Sequence, residues 1–263
     1  MRSPVRDPLA LDPPDQLRLA GAGAALRGSS GLVLTVGRST AQTYSNAQID
    51  DYRGLGAARF LNHPPLSLTV RARFSHPSGV LRGTAGFGFW NYPLVLGARD
   101  WPRLPTALWF FYGSPPGNMA LAHGVPGHGF KAAVIDTNRP QARALIPFAP
   151  LAVPLLNLPP MERQLWPLIQ RAVGVREALI DADMTAWHTY QLCWGRSSAD
   201  FFVDGQPVLV GAPTSTGPRC RVIWLDNQYL IVTPQGRLGW GLLPNAERQW
   251  IELDQVIVSS DMV

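Results

Sequence analysis

Residues 187–209 constrain the fold more than any other part of this chain. Two apolar-rich runs, 187–194 and 199–203, flank a short turn. In the first run one face carries Tyr190, Leu192 and Trp194, and this alternation is the period of a half-buried strand. Asp204-Gly205 then predicts a type I′ hairpin, because both central positions of that turn need a positive φ. The stretch therefore predicts an antiparallel meander within an all-β domain.

Strand-like segments continue along most of the chain. Alternating or apolar runs bounded by turn residues predict further strands at 31–36, 43–50, 66–74, 83–90, 106–113, 219–225, 228–233, 237–243 and 250–258. Residues 1–30 are rich in Pro, Gly and Ala, and they are predicted to form an irregular lead-in. A chain of 263 residues has the length of one β-sandwich, so we expect a single domain over residues 1–263.

Four segments resemble strands of the concanavalin A-like lectin/glucanase superfamily, especially of its family 16 glycoside hydrolases. The first is Trp-His-Thr-Tyr-x-x-x-Trp at 187–194, followed by Phe-x-Val-Asp-Gly at 201–205. Residues 68–74, 86–90 and 250–258 are similar to the cleft-edge strand, the aromatic cleft strand and the closing strand of those enzymes. The resemblance implies a concanavalin A-like jelly-roll sandwich of two antiparallel sheets, with a short helical insertion.

The segment 106–113, Thr-Ala-Leu-Trp-Phe-Phe-Tyr-Gly, decides the expected chemistry. In the hydrolases that the chain resembles, this strand carries a Glu-x-Asp-x-x-Glu pattern that supplies the nucleophile and the general acid/base. A retaining glycosidase needs two carboxyl groups about 5 Å apart across the scissile bond. Here the matching positions hold leucine, tryptophan, phenylalanine and tyrosine, and no acid occurs from Thr106 to Ile135. Hydrolysis by that route is therefore not expected.

Asp226 and Asp100 are the candidate catalytic acids that remain. Asp100 lies in a predicted loop and Asp226 in a predicted sheet, and nothing in the sequence pairs them. Aspartate in a turn commonly accepts hydrogen bonds from its own backbone. The chain also lacks a Gly-x-Ser-x-Gly elbow and a paired Cys-x-x-Cys. An enzyme with relocated acids is therefore an alternative and not the first expectation.

Seven residues form the predicted ligand-binding set: Trp90, Asn91, Trp109, Phe111, Asn227, Tyr229 and Trp240. The rings would stack on a sugar or another apolar ring, and the polar groups would orient it. The resemblance places Asp226, Asn227 and Tyr229 where the hydrolases line their groove. Gly86 and Gly88 share a strand face with Trp90, which fits either the floor of a ligand groove or a face covered by a neighbouring loop.

Charge and cysteine content narrow the expected partners and location. The net charge is +5, yet Lys131 is the only lysine and the arginines are scattered, whereas nucleic-acid binding needs a clustered basic stripe. A carbohydrate or an apolar small molecule is expected, and no nucleic acid. Cys193 and Cys220 are predicted to be buried free thiols. No export signal is visible, so a cytoplasmic location is expected.

No cofactor and no metal are expected. His123 and His128 lie in a glycine-rich loop, which does not favour a metal site. The resemblance places Asp254 where some relatives hold a structural calcium ion. One carboxylate does not make a site for an ion that takes six to eight oxygens.

Residues 137–184 depart from the strand pattern and form the predicted insertion. The eighteen uncharged positions 144–161 are long enough to span a membrane, but the prolines among them argue against a helical span, so no transmembrane segment is expected. Residues 161–178 have one apolar face and predict a helix, with Pro160 in its first turn and a kink at Pro167. Two interpretations stay open: a helix packed on the flank of the sandwich, or a lid over one end of the groove.

The leading hypothesis is a non-hydrolytic, lectin-like protein on a glucanase-like scaffold. It would hold a carbohydrate or another apolar or amphipathic ligand in an aromatic groove. The first alternative is a glycoside hydrolase-like or other lidded enzyme with relocated acids. The second is a structural or protein-interaction sandwich in which all of the aromatic residues are core. The identity of the ligand and the oligomeric state do not follow from the sequence.

Overall fold

The computed structural model describes residues 15–28, 31–52, 60–91 and 105–260. The strands in these ranges are β1 (Gln16–Ala20), β2 (Gly23–Arg27), β3 (Leu32–Val36), β4 (Asn46–Asp50), β5 (Leu66–Phe74), β6 (Thr84–Trp90), β7 (Thr106–Gly113), β8 (Gly129–Asp136), β9 (Arg176–Leu179), β10 (His188–Trp194), β11 (Ser198–Val203), β12 (Gln206–Pro213), β13 (Cys220–Asp226), β14 (Gln228–Val232), β15 (Leu238–Leu242) and β16 (Gln249–Ser259). The helices are α1 (Pro140–Leu145), α2 (Ala149–Leu156) and α3 (Pro159–Ala172), with a 3₁₀ turn at Ile146–Phe148.

Two antiparallel seven-stranded sheets make up the domain. Sheet I has the strand order β1-β4-β13-β6-β7-β8-β9, and sheet II has the order β12-β11-β10-β5-β16-β3-β2. Strands β14 and β15 form a separate two-stranded ribbon, called the hairpin below. This is the predicted jelly-roll sandwich of two antiparallel sheets, and the fold class is confirmed.

The alternation seen in the sequence places the inter-sheet core. Tyr190 on β10 contacts Phe110 on β7 with ring centroids 5.3 Å apart, and Phe201 on β11 lies 5.2 Å from the same ring. Asp204 and Gly205 have φ values of 50° and 77°, as the predicted type I′ turn requires. Large apolar residues of alternate positions on both sheets therefore meet between them.

Residues 16–27 form β1 and β2, so the expectation of an irregular lead-in is wrong for this part of the chain. β1 pairs with β4 at one edge of sheet I, and β2 pairs with β3 at one edge of sheet II. Most of their side chains are exposed or half-buried, so backbone pairing and not a buried apolar face makes them strands. Residues 1–14 and 29–30 lie outside the described ranges.

The insertion lies between β8 and β9 and is helical. α3 starts at Pro159, contains Pro167 and ends at Ala172, whereas the pattern predicted a helix to residue 178. Gly174, at φ 62°, follows the C-cap and stops the helix, because glycine tolerates this left-handed conformation. Residues 176–179 instead pair with β8 as β9. Within the described part of the chain, no helix is long and apolar enough to cross a membrane.

Candidate binding site on the outer face of sheet I

Four large rings cover the middle of the outer face of sheet I: Trp90, Trp109, Phe111 and Trp224, called the aromatic layer below. Side chains alternate along β7, so Trp109 and Phe111 point outward while Phe110 points into the inter-sheet core. Trp109 is the centre of the layer, with ring centroids 5.7 Å from Trp90, 5.4 Å from Phe111 and 5.6 Å from Trp224. The structure thus brings together three of the seven predicted ligand-binding residues.

Trp224 belongs to this layer and was missed by the sequence reasoning. It lies on β13, and the register pairs it with Gly86 of β6, which in turn pairs with Phe111 of β7. The strand 219–225 was predicted, and alternation along it would have placed Trp224 on the face opposite Ile223. The strand order, which the sequence does not give, is what sets this ring beside Trp109.

The glycines of β6 explain how rings from two separate strands meet. β13 and β7 flank β6, so their backbones lie about 10 Å apart. The Trp109 and Trp224 rings contact each other across this gap, above Gly86 and Gly88. A Cβ atom on Gly86 would lie 2.9 Å from Cη2 of Trp224, and one on Gly88 would lie 2.7 Å from Cβ of Trp109. The Trp224 ring therefore covers Gly86, and Trp109 and the β7 backbone leave no room for a side chain at Gly88.

A second apolar cluster covers the aromatic layer. Trp109 is only 8% exposed and Phe111 only 4% exposed. The covering residues come from the loop after β7 and from the hairpin: Met119, Leu121, Ala122, Leu230 and Val232. The buried Trp166 of α3 donates from Nε1 to the carbonyl oxygen of Leu121 at 2.8 Å, so the helix is fastened to this loop. A ligand reaches Trp109 and Phe111 only if this cover moves.

One buried ion pair anchors the cover to the sheet. Nζ of Lys131 lies 2.9 Å from Oε1 of Glu177, and it also donates to the carbonyl oxygens of Met119 and Pro126. Oε2 of Glu177 accepts from the backbone N–H of Ala122 at 2.9 Å. Both charged side chains are almost fully buried. Because each charge is paired and also bonded to the loop backbone, the pair fixes the loop over sheet I.

Asp226 also lies on the outer face, at the end of β13. Its Oδ1 accepts hydrogen bonds from the backbone N–H and the hydroxyl of Thr84, at 3.2 and 2.8 Å, and from the N–H of Gln228 at 3.0 Å. Burial raises the pKa of Asp226 to about 7, and these bonds only partly oppose the rise. Nε1 of Trp224 donates to the same Thr84 hydroxyl at 2.9 Å. The carboxyl group therefore supports the aromatic layer.

The two predicted asparagines lie in buried backbone networks. Oδ1 of Asn227 accepts from the N–H of Ser45 at 2.9 Å, and Nδ2 donates to the carbonyl oxygens of Thr43 and Leu243 at 3.0 Å. Oδ1 of Asn91 accepts from the N–H of Thr106 at 3.0 Å. These contacts hold neighbouring strands and loops together. The ligand-binding role of both residues stays a prediction.

Tyr229 and Trp240 lie on opposite faces of the hairpin. Trp240 is paired with Leu230, while Tyr229 is paired with Gly241, so the two rings are on alternate sides of the ribbon. The Tyr229 ring lies directly over Gly241, where a Cβ atom would come within 2.6 Å of it. Trp240 is 71% exposed. Of the predicted rings, it is the one that solvent reaches most freely.

The outer-face acids of the described strands of sheet I lie far apart. Glu177 and Asp226 are four strands apart in the sheet order, which corresponds to about 19 Å. Asp226 is paired with Asn46 of the neighbouring strand β4. Asp50 lies four residues further along β4, about 13 Å from Asn46. Asp50 is bound by Arg18. Asp100 lies outside the described residues.

Metal ligands do not converge in the parts of the chain that the structure describes. No group of three or more His, Cys, Asp or Glu side chains suited to a metal ion occurs there. Asp254 pairs with the guanidinium of Arg71 at 2.5 Å. A cation beside a lone carboxylate does not fit a calcium site, because calcium takes six to eight oxygen ligands. Cys193 and Cys220 are free thiols, half-buried and buried respectively.

A trough opens between the helical insertion and the hairpin. It consists of two adjoining cavities of about 510 and 190 Å³ that share Asn118, Glu162, Thr233 and Gln235. Leu156, Pro159 and Ile231 add apolar wall, and Asn157 and Arg237 add polar groups. Nδ2 of Asn157 donates to the carbonyl oxygen of Gln235 at 3.0 Å, which ties the two walls together. No pattern in the sequence joins these residues, since they come from separate elements.

Solved structures resemble this chain, whereas no protein-family model and no curated protein match it. One comes from work on endo-acting O-glycanases, which prominent members of the human gut microbiota express to initiate mucin breakdown. It is 15% identical, the match covers 94% of this chain and 92% of that chain, and the TM-score is 0.49. Another is a glycoside hydrolase family 16 endo-glucanase from Bacteroides ovatus: 11% identity, 97% and 98% covered, TM-score 0.48. A third is a pseudo β-1,3-glucanase of Mycobacterium tuberculosis: 12% identity, 88% and 75% covered, TM-score 0.44. Likenesses at this identity transfer no ligand and no catalytic residue to the present chain.

Proposed function

We propose that this protein binds a saccharide without hydrolysing it, in the trough between the helical insertion and the hairpin. The volume of the larger cavity, about 510 Å³, is that of a typical small-ligand site. Its walls combine apolar patches with amide, hydroxyl, carboxylate and guanidinium groups. Amides both donate and accept hydrogen bonds, as sugar hydroxyls do, while apolar walls suit the C–H faces of a sugar ring. The trough thus replaces the aromatic layer as the site where a ligand would lie.

The observation that carries the proposal is that Glu162 is the one carboxylate among the described residues lining the trough. Glycoside hydrolysis needs two carboxyl groups, about 5 Å apart for retention and about 6.5–9.5 Å apart for inversion. The acids on the outer face of sheet I do not supply the second group, because they are buried, bonded within the chain and widely separated. A single carboxylate in the same cavity as Arg237 serves to bind and orient a ligand.

Burial of the aromatic layer favours a second candidate, a purely structural sandwich. Trp109, Phe111 and Trp224 are buried, although most residues of the inter-sheet core are buried more completely. On this alternative the layer is a second core that holds the insertion in place, and the trough is only a surface concavity. The two candidates differ in whether Gln235 and Arg237 contact a ligand.

Titration calorimetry with neutral oligosaccharides of glucose, xylose and mannose tests the proposal. We expect saturable binding to at least one of them. Gln235→Ala and Arg237→Ala should each weaken it about fivefold, the equivalent of one hydrogen bond worth about 1 kcal/mol. Gln206→Ala, at an exposed position of β12, is the matched control and should bind normally. No saturable binding to any oligosaccharide would favour the structural alternative.

A reducing-end assay on the same oligosaccharides tests the absence of hydrolysis. We expect no product from the wild-type protein and none from Glu162→Gln, Asp226→Asn or Asp100→Asn. Release of reducing ends by the wild type that disappears in any one of these variants would show that the protein is an enzyme with relocated acids.

A further inference from the structure

The helical insertion exposes an unusual number of large apolar side chains to solvent. The sequence of α2, Ala-Pro-Leu-Ala-Val-Pro-Leu-Leu, is apolar on every side, yet Leu156 is its one buried residue. Phe148 is 62% exposed and Leu151 is 66% exposed. Ile146, Val153, Leu158 and Leu168 are exposed as well. A helix that is hydrophobic all round is normally covered by protein or lipid, so this surface indicates a partner.

The hairpin continues this apolar surface. Val153 of α2 contacts Gly236 at the hairpin turn, where a Cβ atom would come within 2.6 Å of its side chain. The bond from Asn157 to the carbonyl oxygen of Gln235 holds the same junction. Two residues beyond Gly236, Leu238 is 80% exposed. The apolar surface therefore extends from the 3₁₀ turn across α2 to the start of β15.

The exposed charges of the insertion and of the hairpin have one sign. Residues 140–172 contain three arginines and one acid, a net charge of +2. The three are Arg143, Arg163 and Arg171, and all are exposed, as is Arg237 of the hairpin. Exposed apolar residues flanked by arginines are the composition of segments that lie in the interface of an anionic lipid bilayer. The one acid, Glu162, is half-buried and lines the trough.

The charge decides between two possible occupants of this surface. A symmetric contact with a second copy would bring two positively charged surfaces together, and the juxtaposition of like charges is unfavourable. An anionic bilayer accepts the apolar side chains and attracts the arginines. We propose that the helical insertion docks this protein on anionic phospholipid bilayers, with Phe148 and Leu151 entering the interface. This proposal goes beyond saccharide binding and does not depend on it.

Vesicle co-sedimentation of the full chain tests the proposal. Vesicles of phosphatidylcholine mixed with phosphatidylserine should bind the protein, whereas vesicles of phosphatidylcholine alone should not. The double variant Phe148→Asp with Leu151→Asp should lose binding. Arg163→Glu with Arg171→Glu should weaken binding by roughly fivefold or more for each position changed. Raising the salt concentration should release the wild type, since screening weakens the arginine attraction.

Matched controls keep the test specific. Val210→Asp changes an apolar residue on β12 of sheet II that is 54% exposed, and Arg196→Glu reverses an exposed arginine between β10 and β11. Both should bind vesicles like the wild type, and all variants should unfold at the wild-type temperature because the changed side chains are exposed. Equal binding to both vesicle types, or none to either, would overturn the proposal. So would a wild-type dimer in sedimentation that the Phe148/Leu151 variant abolishes, since a second copy would then cover the surface.

Discussion

The inter-sheet core and the aromatic layer lie on the two sides of sheet I and are built differently. In the inter-sheet core, the Tyr190 hydroxyl and the Trp194 indole N–H have no hydrogen-bond partner among the described residues. In the aromatic layer, Nε1 of Trp90 donates to the Tyr52 hydroxyl at 2.6 Å, and Trp224 donates to Thr84 at 2.9 Å. The inter-sheet core is held mainly by apolar packing between the two sheets, although the Tyr112 hydroxyl donates to the carbonyl oxygen of Leu81 at 2.7 Å. In the aromatic layer, the indole hydrogen bonds to a loop and to a strand end add to the packing.

This difference teaches which layer specifies the sandwich and which is attached to it. Most of the inter-sheet core comes from alternating apolar residues on the two facing sheets, so its burial depends little on the loops. The cover of the aromatic layer comes from one loop, one helix and the hairpin, fastened by the Lys131–Glu177 pair and by Trp166. We therefore expect the cover to detach before the sandwich unfolds, because such locally stabilised segments open first.

Truncation of neighbouring rings on β7 gives the largest expected contrast. Phe110→Ala should lower the free energy of unfolding by about 3–5 kcal/mol, since it empties the centre of the inter-sheet core. Phe111→Ala should cost only about 2 kcal/mol, because the loop and hairpin above it are able to collapse into the space. Urea denaturation measures both values. Equal costs would show that the two layers form one cooperative unit.

Breaking the anchor of the cover should have the next largest effect. Lys131→Met leaves the Glu177 carboxylate buried without its cation and should cost about 3 kcal/mol. Adding Glu177→Leu should recover most of this loss, since an apolar pair of similar volume removes the unpaired charge. Hydrogen exchange should show faster exchange in residues 114–128 of the single variant while β10 stays protected. Uniform loss of protection would contradict an independently held cover.

The raised pKa of Asp226 predicts that the stability of the protein depends on pH. Its folded pKa of about 7 lies above the ordinary value of 3.8, so folding favours the protonated form. This contribution is complete below about pH 3.8 and is lost as the pH rises to about 7. Asp226→Asn keeps the Oδ1 acceptor and should match the wild type at pH 4 but be roughly 2–4 kcal/mol more stable above pH 7. Thermal unfolding of both proteins at the two pH values measures this difference; an equal difference at both pH values would mean that folding does not raise the pKa of Asp226.

The outer face of sheet II should give the smallest effect. The Arg71–Asp254 pair is partly exposed, so Asp254→Asn should change the free energy of unfolding by less than about 1 kcal/mol. Added calcium should not change the melting temperature of either protein. A calcium-dependent rise that Asp254→Asn removes would reveal a metal site at this position.

The sequence predicted the parts of the fold that depend on local periodicity. The residues Tyr190, Leu192 and Trp194 alternate as a strand, and Asp204-Gly205 forms the expected turn. Strands β1 and β2 were missed because their side chains are mostly exposed and show no buried face. The end of α3 was placed too late, although Gly174 is an ordinary stop signal.

The site was harder to predict than the fold because it depends on contacts between distant segments. Gly86 and Gly88 correctly indicated a close approach to the backbone, but nothing local shows that Trp224 lies above them. The amide of Asn227 is able to hydrogen-bond a sugar hydroxyl, which is why the sequence suggested a binding role. Only the structure shows that this amide is bonded to the backbone of Ser45 and Leu243. The trough joins α2, α3, the hairpin and a loop whose proximity follows from the insertion, not from any motif.

The glycine face of β6 also limits where catalytic acids can be introduced into this scaffold. The central positions for carboxylates are 109 and 111 on the neighbouring strand β7. The rings at these positions pack against the loop that covers the sheet. Two acids placed there would be sealed from water and stay protonated, unable to act on a substrate. To build a catalytic site here, the insertion and the loop would first have to be shortened so that solvent and substrate reach the outer face of sheet I. Only then would replacing the rings by acids be useful.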